Sequence, residues 1–348
     1  MFVSYRMYME IKKQVTTKDV RETVKLLDRI IKIYKEENPE KEKDWRTKEE
    51  RIHQRLRIAF RELRPLVKEA VNSVKIVKGE TRGSPPLLTL EQKTLLLLLK
   101  RLISKSNRDM SHMLAIFLWL TDIDISYKTI ERLYSDLEVK VVLHNLHILM
   151  LKKKGIKEAD CSGDGTGYAL TIKKHYATEA QKLKDRIKKI DGRRKKKEFF
   201  FSFGIIDIKS KMYVGFGTSF KSEQEAHINA VELCEETGIK LNSMRLDRLF
   251  SSQSCVELYQ GSFGEVKMYL IPKKNATVKG SWEWKRMLYR FVNNPQNFLK
   301  EYYQRNQSES GFSGDKKRIG WKVGQKRHDR IETANDLTYI WHNLYWLG

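Results

Sequence analysis

The sequence predicts an α-helical N-terminal region followed by an α/β domain with a mixed five-stranded sheet flanked by helices. Three observations predict it. Apolar residues recur at helical spacing over the first 80 residues. Runs of β-branched and aromatic residues replace that pattern from about residue 156. Between the two, residues 79–86 (Gly-Glu-Thr-Arg-Gly-Ser-Pro-Pro) form the clearest linker in the chain.

Residues 20–34 carry Val24, Leu27, Ile30, Ile31 and Tyr34 on one helical stripe. Residues 51–71 repeat the pattern with Ile52, Leu56, Ala59, Leu63 and Leu66, and Pro65 predicts a kink or break. Thr89 is a favourable N-cap for a helix running to about Ser104. A second helix is expected over 109–120, and its apolar run from Met113 to Leu120 predicts burial in a bundle. Ser126 caps a short helix over 127–135. With the preceding helix it fits a helix-turn-helix whose second helix would present Lys128 and Arg132 to DNA, against an ordinary bundle without DNA contact. The regions so defined are 1–80, 87–150 and 156–348.

In the third region, residues 156–164 read as a strand with a Gly-rich exit, and 199–206 as a second. Asp207-Ile208-Lys209-Ser210-Lys211 makes a hairpin connection into a third strand over 212–218. A helix over 222–237 ends at Gly238, a natural C-cap. A strand over 241–246, a helix over 252–259 and a strand over 266–271, closed by Pro272, complete the layer before further helices.

Charge bounds the partners. Among 348 residues, 68 Lys and Arg face 44 Asp and Glu, a formal net charge of +24. Such an excess repels itself unless a polyanion neutralises it, so double-stranded DNA is the expected partner. Three cysteines without a C-x-x-C pair argue against both a zinc site and a disulfide framework. No apolar run is long enough to span a bilayer and the N-terminus has no signal-peptide core, so a cytoplasmic, nucleoid-associated protein without membrane contact is expected.

Three carboxylates stand at telling places. Asp164 lies at the expected end of the first strand, in Asp164-Gly165-Thr166-Gly167, and Asp247 at the end of the fourth. Glu309 belongs to a late segment in which Tyr302, Arg305 and Glu309 fall at i, i+3 and i+7, hence on one helical face. If the first and fourth strands are neighbours, both Asp side chains emerge at one sheet edge and the late helix brings Glu309 over them. Carboxylates so gathered repel unless cations bind between them. Hard oxygen ligands suit Mg²⁺ or Mn²⁺, and two such ions would serve phosphodiester displacement.

These residues resemble those of a family, the DDE transposases of insertion sequences, whose catalytic domain is RNase H-like. Tyr302, Arg305, Glu309 and Lys316 match its Y-(2)-R-(3)-E-(6)-K signature. Asp164-Gly165-Thr166-Gly167 and Asp247-Arg248-Leu249-Phe250-Ser251 resemble its two Asp motifs, with Leu249 where Gly is usual. The resemblance covers residues 160–348. It implies that Asp164, Asp247 and Glu309 bind the ions, that Arg305 and Lys316 hold DNA phosphates, and that Tyr302 packs beside the site within reach of the metal shell or a phosphate. Synapsis of two element ends implies a homodimer or higher assembly. A domesticated DNA-binding protein and a stand-alone nuclease or resolvase on the same fold are the alternatives.

Other residues weigh less. Asp160, four residues before Asp164, points to the same strand face and is a rival ligand. Glu301 and Glu332 read as solvated helix charges. The basic run over 182–197, with Arg193, Arg194 and Lys195, reads as a DNA-backbone arm. Lys316, Lys317 and Arg318 extend the positive surface beyond Glu309. Trp282 and Trp284 are candidate base-stacking rings, with core packing as the favoured role.

Overall fold

The computed structural model describes residues 13–39, 45–74, 87–118, 122–170 and 199–348. Its centre is a sheet built on β1 (Glu158–Leu170). β2 (Phe199–Asp207) and β3 (Tyr213–Ser219) add to one side as an antiparallel meander. β4 (Lys240–Arg245) and β5 (Lys267–Tyr269) add to the other side in parallel. The order is β3-β2-β1-β4-β5, with a sixth strand, β6 (Lys322–Val323), against the end of β1. Two residues are too few to show a strand period, which is why the sequence predicts five strands.

The helices that position the sheet start where the sequence places them, on serine caps. Ser222 accepts from Glu225 N and starts α7 (Glu223–Glu236), and Ser252 starts α8 (Gln253–Phe263). These two helices make the connections β3 to β4 and β4 to β5, the crossovers that parallel strands require. α7 lies so close to β3 that a Cβ on Gly217 would stand 2.2 Å from the Ala226 carbonyl oxygen, so only glycine permits this packing.

Among the described residues, six helices precede the sheet. α1 (Thr17–Glu37) opens with a reciprocal Thr16–Asp19 capping box and buries Val20, Val24, Leu27 and Ile30. α2 (Trp45–Asn72) continues through Pro65, so the helix does not break there. Leu63, Leu66, Val67 and Ala70 are buried around the proline, and α2 packs on α6 (Leu137–Lys154) and α12 (His328–Trp346). That burial offsets the roughly 3 kcal/mol a mid-helix proline costs. α3 (Leu90–Ile103) starts at Thr89 as expected. α4 (Asn107–Ile116) packs against α5 (Tyr127–Leu133), burying Met110 and Leu114. The expected burial of the apolar run is corrected at its visible part: Ile116, Phe117 and Leu118 are exposed. Residue type records their hydrophobicity but not which side of the helix faces the core, where Leu114 lies.

After β5 come α9 (Trp282–Asn293) and α10 (Pro295–Tyr302), then a 3₁₀ turn over Tyr303–Arg305 and α11 (Asn306–Ile319). The last helix, α12, is buried on most faces and lies against α2, α3, α6 and β3. One continuous hydrophobic core runs from Val20 through the sheet to Leu347. No helix among the described residues is long and apolar enough to cross a membrane.

Candidate active site

Two strands set the first two carboxylates by register alone. β1 and β4 run parallel with Ser162 paired to Arg245, where β4 ends. Two residues further along each chain stand Asp164 and Asp247. Asp164 does not end its strand: β1 continues to Leu170 because its pairing with β2 continues, Asp164 opposite Gly204 and Ala169 opposite Phe199. The Gly165-Thr166-Gly167 segment is therefore ladder, not turn. With β4 gone on that side, the gap beside Asp164 faces the chain leaving β4, where Asp247 leads into a 3₁₀ turn over Arg248–Phe250.

The third carboxylate comes from α11. Tyr302, Arg305 and Glu309 do not share one α-helix, since the 3₁₀ turn at Tyr303–Arg305 interrupts it. The interruption aims Arg305 inward. Its Nη2 lies 2.9 Å from Glu309 Oε1 and 3.8 Å from Asp247 Oδ1, and its Nη1 lies 4.0 Å from Asp164 Oδ2. One guanidinium thus gathers all three carboxylates. The buried Tyr302 ring lies 5.6 Å beside it, and Arg305 Nε is buried without a partner. Tyr303 stacks on Tyr34 of α1, rings 5.1 Å apart, so an N-terminal helix braces this turn.

The charges are out of balance. Burial pushes the Asp164 carboxyl up to about 6; a hydrogen bond from Gly165 N and the Arg305 charge oppose this, while Glu309 and Asp247 add to it. Burial works against the Arg305 charge, but Tyr302, Glu309, Asp247 and Asp164 together outweigh it and raise its pKa. Burial also raises the Tyr302 hydroxyl to about 12.

A fourth carboxylate was missed from the sequence. Glu223, the first residue of α7, lies against Gly165: a Cβ there would stand 2.0 Å from Glu223 Oε1. Burial, then the Asp247 charge, raises its pKa. The available signal was its place immediately after the Ser222 cap and the third strand, but on sequence it looks like any acidic residue in a first helical turn.

The other predicted residues divide. Lys316 Nζ donates to Thr166 Oγ1 at 2.5 Å and to the Gly167 carbonyl at 3.3 Å, docking α11 on β1 beside Asp164. Lys317 is exposed. Arg318 turns inward, 2.7 Å from Asp315 and over the Tyr345 ring. Lys128 and Arg132 are exposed on α5. Arg193, Arg194 and Lys195 lie outside the described residues. Asp160 accepts from Ser243 Oγ, which also accepts from the buried Arg245, so its carboxylate is engaged away from Arg305. Glu301 is not a free solvated charge: it pairs with Arg245. Glu332 is half-buried, and burial raises its pKa. Trp284 is core, its Nε1 donating to the Thr277 carbonyl, whereas Trp282 is exposed.

Asp164, Glu309 and Lys316 line a cleft of about 340 Å³ between β1 and α11. Among the described residues no three carboxylate, His or Cys side chains stand ready to share one metal ion, because the guanidinium occupies the space between them. The donor chemistry is nevertheless that of a hard divalent cation site: three carboxylates converge on one cationic group that a cation could replace.

Fold and site together define a strongly basic α/β protein with a carboxylate-lined cleft at the edge of its sheet. The chain is 42% identical over 339 residues, 97% of its length and 98% of the relative's, to the probable transposase for insertion sequence element ISA1214 of Archaeoglobus fulgidus. No family model matches the chain. At that identity and coverage the chain belongs to the transposases of insertion sequences.

Proposed function

We propose that the protein is a DDE transposase that cleaves DNA at the ends of its element and joins the freed 3′-hydroxyl to target DNA. The single observation that carries this is the convergence of Asp164, Asp247 and Glu309 on Arg305, within 4.0 Å in each case. The sheet order around β1 is compatible with an RNase H-like domain, and the net charge of +24 suits a double-stranded DNA partner.

In this reading Asp164, Asp247 and Glu309 hold two Mg²⁺ or Mn²⁺ ions, and Glu223 stands behind them. The ions would activate the attacking oxygen and stabilise the leaving one. Arg305 then leaves the carboxylates and takes a phosphate oxygen of the bound DNA, for which its planar fork is suited. Lys316, held by Thr166 at the cleft wall, places a second positive charge beside the same phosphate. Tyr302 keeps the guanidinium in plane through its ring face. Regions 1–80 and 87–150 supply end recognition, with Lys128 and Arg132 on the exposed side of α5, and two or more chains pair the ends.

The test is incubation of the full chain with DNA spanning both ends of the element that encodes it, in Mg²⁺. Nicks at the ends and joined products are expected, both lost in Asp164→Asn. Nicks without joining identify a nuclease or resolvase, and binding without nicks a domesticated DNA-binding protein. Either result overturns the proposal.

A further inference from the structure

A second cavity, about 840 Å³, opens beside the carboxylate cleft, between the end of α3, the start of α4 and the chain from α11 to β6. Four cationic side chains line it, Lys100, Arg101, Lys105 and Lys322, and no Asp or Glu does. Two of the four are buried. Arg101 is 6% exposed; its Nε and Nη2 donate to Thr338 Oγ1 and its Nη1 to the Lys322 carbonyl. Lys100 is 8% exposed, and its Nζ donates to the Tyr134 hydroxyl at 2.9 Å. Every one of these partners is neutral. The buried Asp315 carboxylate acts on Arg101 from a distance, but none of the four cations is paired with an acid in the cavity lining, so the cavity carries a net positive field.

Two further features say what the anion is attached to. Trp321, 70% exposed, lines both this cavity and the carboxylate cleft, so the two adjoin at its ring. An indole face in water beside a row of cations is the combination on which a nucleic-acid base stacks while its phosphates are neutralised. A concavity of this size accepts one or two unstacked nucleotides, not a rigid duplex.

We propose that this cavity receives the unpaired DNA strand that continues from the carboxylate cleft, one base stacked on Trp321 and its phosphates on Lys105 and Lys322. The proposal rests on the transposase reading for the cleft itself. Lys100 and Arg101 supply the fixed positive field.

The test is fluorescence anisotropy of the full chain with a labelled 20-nucleotide single strand and the matching duplex, in EDTA so that no cleavage intervenes. Trp321→Ala should weaken single-strand binding about tenfold, and Trp321→Phe should retain most of it, because stacking needs a ring rather than an indole. Lys105→Glu with Lys322→Glu, both exposed positions, should lower the slope of log affinity against log salt by about 1.4 for two lost phosphate contacts. Duplex affinity should change less than twofold in Trp321→Ala. Unchanged single-strand binding in these variants, or an equal loss on the duplex, overturns the proposal. Failure of end cleavage by the unaltered chain is a separate result, which would sink the transposase reading while leaving this measurement to stand or fall by itself.

Discussion

Asp164 and Asp247 each stand two residues beyond Ser162 and Arg245, the last registered pair of two parallel strands. Register places the two carboxylates level across the gap that opens where β4 stops. Glu309 reaches the same gap from α11, and Arg305 fills it. The site is thus a product of where one strand ends while its neighbour continues.

Changing any of the three carboxylates to its amide should abolish end cleavage. A loss on the order of 10³ or more is expected for Asp164→Asn, Asp247→Asn and Glu309→Gln, in line with losing charge aimed at the reacting phosphate. Thermal unfolding in EDTA should show the folded state kept or slightly stabilised in Asp164→Asn, whose ionisation the fold opposes, and slightly destabilised in Glu309→Gln, which loses its 2.9 Å pair with Arg305. Cleavage rates and melting curves on the same preparations check both parts.

Arg305 should behave as a stand-in for cations. In Arg305→Ala the three carboxylates lose their shared counter-charge. The metal-free melting temperature should fall, and the further stabilisation given by added Mg²⁺ should exceed that of the unaltered chain. DNA cleavage should fall as well, since the phosphate contact is lost. Melting curves with and without Mg²⁺ decide the point; an unchanged Mg²⁺ increment would show that the guanidinium and the ions do not compete.

The pH dependence follows from Asp164. Its folded-state pKa of about 6 lies above the ordinary 3.8, so below about pH 4 the carboxyl is protonated in both folded and unfolded chains. As pH rises toward 6 the unfolded chain gives up this proton first, so the metal-free fold loses stability through that window. Asp336, pushed up to about 7 by burial and then by Glu332, extends the same trend. Asp164→Asn should remove the lower part of the slope and leave the upper part. Divalent-ion affinity should run oppositely, rising as pH passes about 6 and the carboxylate ionises. Melting curves and Mn²⁺ titrations from pH 4.5 to 8 measure both.

Gly165→Ala tests the fourth carboxylate. The new methyl group would collide with the Glu223 carboxylate, the far end of a flexible side chain, so Glu223 should swing away at a stability cost below about 1 kcal/mol. Gly165→Ala and Glu223→Gln should then weaken Mn²⁺ binding to similar extents, and the double variant should be no weaker than either alone, as expected for one shared interaction.

Much of this was legible in the sequence, for identifiable reasons. β2 and β3 announce themselves by Phe200, Phe203, Ile205 and Val214, all fully buried, and the caps Thr89 and Ser126 start the helices they predict. Asp164, Asp247 and Glu309 stand around Arg305, although the helix expected to carry Tyr302, Arg305 and Glu309 on one face is interrupted at Tyr303–Arg305. The misses share a cause, which is tertiary partnering. Nothing local says that β2 will keep pairing with β1 past Asp164, that α6 and α12 will hold α2 helical through Pro65, or that Glu301 will find Arg245. Glu223 was invisible because its importance lies in a glycine 58 positions earlier.

The central claim is that Asp164, Asp247 and Glu309 together bind divalent ions. Counting bound Mn²⁺ by electron paramagnetic resonance, in the full chain with duplex DNA at pH 7.5, tests it most directly. Two ions per chain are predicted, falling to one or none in Asp164→Asn and to none in the triple amide variant. Mn²⁺ binding that is absent from the unaltered chain, or undiminished in the triple variant, would contradict the account.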